Sequence, residues 1–229
     1  MTGKLKFTIA AFLVPYFTLL YSGCNFAGRL ASPTAHEMKV PAEYDLTKDT
    51  DQKILVLVNQ PAWVNAGTNL RYYITEAVNY SLTEKVNIKP ENLVDYEQLS
   101  QVRTEKPDLF MRGAAEIGQG MNVDKVLLIV VEDFQLYQAA GPGYYKGSLN
   151  AQAFLFDCGT GRRIWPTRPQ LSKPVRVGFE VGKGDAEAVV KRLAASLASC
   201  TTRYFYNCRK DSFKIADERT ETAWDKWDK

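Results

Sequence analysis

PDLFMRGAAEIGQGMNVDKVLLIVVEDFQLY, residues 107–137, is the stretch from which the rest of the chain can be placed. Pro107 suits the first position of a helix, and Asp108 beside it complements the positive end of a helix dipole. Phe110, Ala114, Ile117 and Met121 recur at helical spacing, and the pattern predicts a helix broken at Gly118 and Gly120. Val126-Leu127-Leu128-Ile129-Val130-Val131 then forms an unbroken apolar run of strand length. A run of that kind wants cover on both faces, so it reads as a central strand with helices packed on it. Beyond it Phe134, Leu136 and Tyr137 alternate with polar residues, which brings one end of the strand to solvent.

Working outward, Ile54 to Val58 is a second continuous apolar run, expected beside the first. Leu70, Tyr73, Ile74, Ala77, Val78 and Ser81 form a helical stripe running to about Val86. Asn87 to Val94 can supply a short strand and Asp95 to Thr104 an exposed helical turn. Leu149, Ala151, Ala153 and Leu155 alternate with polar partners, predicting an antiparallel hairpin that a turn at Asp157 to Gly161 extends into a three-stranded meander through Ile164-Trp165 and Val175 to Val177. Asp185 can cap a last long helix striped by Ala186, Val189, Val190, Leu193, Ala194, Leu197 and Tyr204. The expected fold is therefore α/β (α+β): a mixed sheet of about five strands in two or three layers, with helices packed on it and a long C-terminal helix.

The 229 residues are 45% apolar and carry a formal charge of +3, ample for one domain with a true core and too balanced to attract nucleic acid. The amino terminus is more specific. Lys4 and Lys6 precede an apolar segment of 14 residues from Phe7 to Leu20, right for a signal-peptide core and short of the ~20 needed to span a bilayer. Leu20-Tyr21-Ser22-Gly23-Cys24 follows, which resembles the lipobox of bacterial lipoproteins, with Tyr21 where an aliphatic residue usually stands. That resemblance implies a signal peptide over 1–23, acylation (palmitate) of Cys24, and a lipid-anchored protein. More than one acyl chain holds a protein at a membrane stably. Asn25 after the cysteine favours the periplasmic face of the outer membrane in a diderm cell. Residues 24–52, small and polar with Pro33 and Pro41, read as a tether, 53–208 as the domain and 209–229 as a charged tail.

Ile54 to Val58, Ala114 to Gly118 before Val123 to Leu127, and Asp157 to Gly161 before Ile164-Trp165 together resemble the small α/β domain shared by the curli-secretion lipoprotein CsgG, the penicillin-binding-protein activator LpoB and the amino-terminal domain of TolB. The resemblance spans about Lys53 to Tyr206. It implies a non-catalytic binding or assembly module in the cell envelope, engaging another envelope protein or a second copy. Neither the paired amphipathic membrane hairpins of a CsgG pore nor the long Pro/Gln-rich stalk of LpoB is present in the sequence, so neither specific activity carries over.

Catalytic chemistry is narrowly bounded. The single histidine, His36, lies in the tether, so no Ser-His-Asp or Cys-His site and no multi-histidine metal site can be assembled, and no cofactor is expected. Gly178 to Gly184 has three residues rather than four before Gly182-Lys183 and lacks the Ser/Thr of a phosphate loop. Glu132 and Asp133 leave one enzymatic alternative, a hydrolase-like envelope enzyme working with carboxylates alone. With Cys24 acylated, Cys158, Cys200 and Cys208 remain, and a disulfide from Cys158 to one of the late cysteines would pin the last helix to the sheet. Tyr144 with Tyr145, at an expected loop tip, and Trp224 with Trp227 in the tail are the aromatic candidates for partner contact; folding back over their own domain is the alternative for both pairs.

Overall fold

In chain order the elements are β1 (Lys39–Val40), β2 (Ile54–Asn59), α1 (Leu70–Ser81), α2 (Tyr96–Glu105), α3 (Ala114–Gly120), β3 (Lys125–Gln138), β4 (Tyr144–Asp157), β5 (Arg163–Trp165), β6 (Val175–Gly182), α4 (Ala186–Thr202) and β7 (Cys208–Arg209). They come from a computed structural model that describes residues 39–64, 69–138, 143–167, 175–182 and 185–209. Cys24, His36, Trp224 and Trp227 lie outside the described residues.

The helices begin where short polar side chains can satisfy free backbone amides. Asn69 accepts from the Tyr72 N–H, Asp95 from Gln98 and Asp185 from Ala188. α1 runs on through a π turn, Leu82–Val86, and stops at Asn87, whose φ of 65° is left-handed. The two apolar runs pair as expected. β2 lies parallel to β3 with Ile54 opposite Lys125, and the three intervening helices provide the crossover that a parallel pair requires. β3 and β4 form a long antiparallel hairpin with Lys125 opposite Asp157, shifted at a bulge between Val131 and Asp133.

The result is a mixed five-stranded sheet with helices on both faces. One face, carrying Val56, Leu127, Ile129, Val131, Leu149, Ala151 and Leu155, packs on α1 and α4 in the main core. Gly147 lets α4 come close: a Cβ there would sit 2.7 Å from Val189 Cγ1 and 2.8 Å from Leu193 Cδ1. The other face has a smaller core of Leu55, Leu57, Val126 and Cys158 against Val94, Leu99, Ile117 and Val123.

Four expectations need correction. Pro107 opens only a 3-10 turn, Pro107–Met111, and the α-helix starts after Gly113. The helix passes through Gly118 and ends at Gly120. They permit close approach, since a Cβ on Gly118 would meet Val126 Cγ2 at 2.5 Å and also the Cys158 sulfur, and one on Gly120 would meet Leu109 Cδ1 at 2.7 Å. The chain turns instead at Asn122, with φ 55°. Second, residues 87–94 form no strand, only a single parallel bridge from Leu93 to Ile54. Third, the meander is not sequential: β6 pairs with β4 over Tyr144 to Ala151 and β5 pairs with it at Leu155 and Phe156, so the two share one edge of β4 end to end.

Fourth, Lys39 to Gln52 belongs to the domain rather than to a tether. β1 pairs with β7, Glu43 N–H donates to the Tyr204 carbonyl at 2.9 Å, and Leu46 is wholly buried. Glu43 also accepts from the Trp165 indole N–H at 2.8 Å. Only one buried apolar residue marks this segment, which left no period to read.

Candidate functional site

The β3–β4 hairpin is covered unequally. Its α1/α4 face is packed along the whole length, with Tyr145, Phe134 and Leu136 joining the main core at the far end. On the opposite face the smaller core stops at Leu128 and Phe156. Beyond that point Val130, Glu132, Asp133, Gln135 and Tyr137 of β3 and Lys146, Ser148, Asn150, Gln152 and Phe154 of β4 are half-buried or exposed, and among the described residues no helix lies over them.

The bulge organises the middle of this open face. It turns Glu132 to the same side as Asn150 and Gln152, and both amide groups donate to its carboxylate, Asn150 at 2.8 Å. Asp133 accepts from Gln135 at 3.0 Å. With both oxygens accepting, Glu132 anchors a polar ladder across the hairpin. Asn150 Oδ1 is buried with no hydrogen-bond partner among the described residues, a cost of about 1–3 kcal/mol. Val130 and Phe154 flank the ladder, and the Arg163 guanidinium lies 5.7 Å from the Phe154 ring centre.

The expected aromatic pair divides. Tyr145 turns inward against the main core, as in the alternative for that pair, whereas Tyr144 is exposed at the start of β4. Neither stands on a free loop tip, because both are in register with β6. Among the described residues the sheet separates Cys158 from Cys200, which rules out that one of the two expected disulfides. Cys158, Cys200 and Cys208 are all buried, and Cys158 belongs to the smaller core while Cys200 sits in the main core across the sheet. No rotamer bridges a sheet. Burial first, then the charges of Asp157 and Asp124, pushes the Cys158 thiol up to about 11, so it is protonated and unreactive at neutral pH.

Sequence reading missed Lys125. It is 4% exposed at the head of β3, with Nζ 3.6 Å from Asp49 and 3.9 Å from Asp157 and its cation 5.8 Å from the Tyr44 ring centre. These groups join the segment 39–52 to the sheet. Asp157 is held below the usual carboxylate range chiefly by the Thr160 hydroxyl and amide, with Lys125 adding to it. Among the described residues no group of three His, Cys, Asp or Glu could hold a metal ion, and no helix is long and apolar enough to cross a membrane.

No known family matches the chain, and no curated protein matches it. Solved structures do. The lipoprotein GNA1162 from Neisseria meningitidis is 15% identical with a TM-score of 0.41, over 64% of this chain and 95% of that one. The PelC dodecamer from Paraburkholderia phytofirmans is 12% identical with a TM-score of 0.36, over 74% of this chain and 96% of that one. Bacterial lipoproteins are thus among its structural neighbours, at levels that say nothing about activity.

Proposed function

We propose that this chain is a lipid-anchored cell-envelope protein, acylated at Cys24 and held at the periplasmic face of the outer membrane, whose domain is a non-catalytic module of the CsgG, LpoB and TolB type that binds another envelope protein. The anchor rests on Lys4, Lys6, the apolar run Phe7 to Leu20, and Ser22-Gly23-Cys24. Binding rests on one observation above the others: the open face of the β3–β4 hairpin, where Val130 and Phe154 border the Glu132–Asn150–Gln152 ladder. A mixture of apolar area with fixed amides and a carboxylate suits a protein partner, which can complete the hydrogen bonds.

A photoreactive residue placed at Ser148, on this face, tests the reading in the membrane fraction against one at Ser199, on the exposed side of α4. The expected result is one discrete adduct from Ser148, lost on Phe154→Asp with the thermal melt unchanged, and none from Ser199. Equal labelling from both positions, or an adduct insensitive to Phe154→Asp, contradicts it.

A further inference from the structure

β6 lies outermost beside Tyr144 to Ala151 of β4. Its eight residues pair with β4 in unbroken register, from Val175 opposite Ala151 to Gly182 opposite Tyr144. Among the described residues no strand, and no backbone hydrogen bond from elsewhere, reaches its other side. The opposite margin of the sheet is closed: Leu93 bridges to Ile54, the Val94 N–H donates to the Ile54 carbonyl at 3.1 Å, and the first five residues of β2 are buried. Proteins blunt a free edge by shortness, a proline, a bulge or charge, and β6 has only the last of these.

Those charges match the strand itself. In Val175-Arg176-Val177-Gly178-Phe179-Glu180-Val181 the residues equidistant from Gly178 are Val177 and Phe179, Arg176 and Glu180, and Val175 and Val181. A second copy of the strand, turned antiparallel about Gly178, therefore sets apolar positions against apolar ones and Arg176 against Glu180 twice, the reciprocal contact of a two-fold interface. Sliding the copies by two residues puts Gly178 opposite one of the charges, and sliding by four puts a charge against its own kind. Opposite charges across a strand pair stabilise it and like charges destabilise it, so one register is selected. Arg176 and Glu180 stand in register with Asn150 and Lys146, on the open face, whereas Val175 and Val177 stand with Ala151 and Leu149 in the main core. Both charged positions thus fall on the open face and the apolar ones on the packed face.

Gly178 supports the same axis. It is exposed although Val177 beside it is buried, its backbone lies outside the left-handed region, and a Cβ there would meet nothing nearer than the Gly147 carbonyl oxygen at 3.9 Å, an ordinary contact. Nothing inside the domain calls for glycine at that position. A glycine within a strand often marks the place where another backbone comes close.

We propose that a second copy of this chain adds to β6 by antiparallel pairing about Gly178, giving a two-fold dimer whose two sheets run on as one with both open faces on the same side. The dimer goes beyond the binding reading above and needs only this chain, so purified protein tests it apart from any other partner. Sedimentation equilibrium of the full-length protein in density-matched zwitterionic detergent should show a reversible dimer. Arg176→Glu and Glu180→Arg should each weaken it about tenfold, because each turns two attractive pairs into repulsive ones, and the double variant should recover the affinity. On oxidation with copper phenanthroline, Gly178→Cys should give a disulfide-linked dimer, whereas Thr104→Cys, exposed on α2 by the opposite margin of the sheet, should not. Should a single charge variant melt at a lower temperature than the unaltered protein, Gly178→Cys decides alone. A monomer at every concentration, a double variant as weak as the single ones, or equal crosslinking from Gly178→Cys and Thr104→Cys overturns the proposal.

Discussion

Phe205→Ala is expected to destabilise the domain by about 4 kcal/mol, the usual scale for deleting a wholly buried aromatic ring. Phe205 is fully buried in the 3-10 turn after α4, with its ring edge-on to Trp165 at 4.9 Å between centres. Trp165 closes the short strand β5 and in turn donates its indole N–H to Glu43. One ring thus supports the end of α4, the lower edge of β4 and the early segment that pairs with β7. For a domain of this size the loss corresponds to a melting temperature lower by about 10 °C. Phe205→Leu should retain most of the stability by refilling most of the volume. Calorimetric melts check this, and a change below about 1 kcal/mol for the alanine variant would mean that the ring does not hold these elements together.

Lys125→Ala should have the next largest effect, about 3 kcal/mol. The ammonium is nearly enclosed, yet Asp49 and Asp157 keep side-chain exposures of 22% and 29%, which lets water take up part of their charge and keeps the loss toward the lower end for a broken buried pair. Lys125→Met should cost less than the alanine change, because it fills the stem's volume. Asp157 gives the effect a pH dependence of known sign. Its folded pKa is depressed, first by Thr160 and then by Lys125. The stabilisation linked to it is therefore present above the unfolded carboxylate value of about 3.9 and lost as pH falls through the lower folded value. Removing Lys125 should thus cost most near neutrality and less in acid. Urea denaturation at neutral and at acid pH measures both points; a loss that grows on acidification would assign Lys125 some other role.

The parts of this fold that sequence patterns revealed are those where burial is continuous along the chain. Ile54 to Val58 and Val126 to Ile129 are covered on both faces and so read as uninterrupted apolar runs; Leu149 to Leu155 is apolar on every second residue because only one face is packed at that depth. Asp185 and the stripe of α4 were legible for the same reason. What stayed hidden depends on long-range placement. β5 and β6 share an edge of β4 through backbone hydrogen bonds that no side-chain period encodes. Gly118 and Gly120 looked like helix breakers, whereas the neighbours that require them, Cys158 and Leu109, lie elsewhere in the sequence. A cysteine count does not say that Cys158 and Cys200 face opposite sides of a sheet. Lysine reads as a surface residue until its surroundings are known, which concealed Lys125. The open face was half visible in the polar alternation after Val131, but the bulge that gathers Glu132, Asn150 and Gln152 was not.

The most direct test of an anchored binding module is crosslinking mass spectrometry on membranes of the native host, comparing the intact protein with Cys24→Ala. The intact protein should carry acyl mass at Cys24, sediment with the outer membrane and give a discrete crosslinked partner through the β3–β4 face, all three lost in the variant. A protein that is soluble and unacylated in both forms would contradict the account.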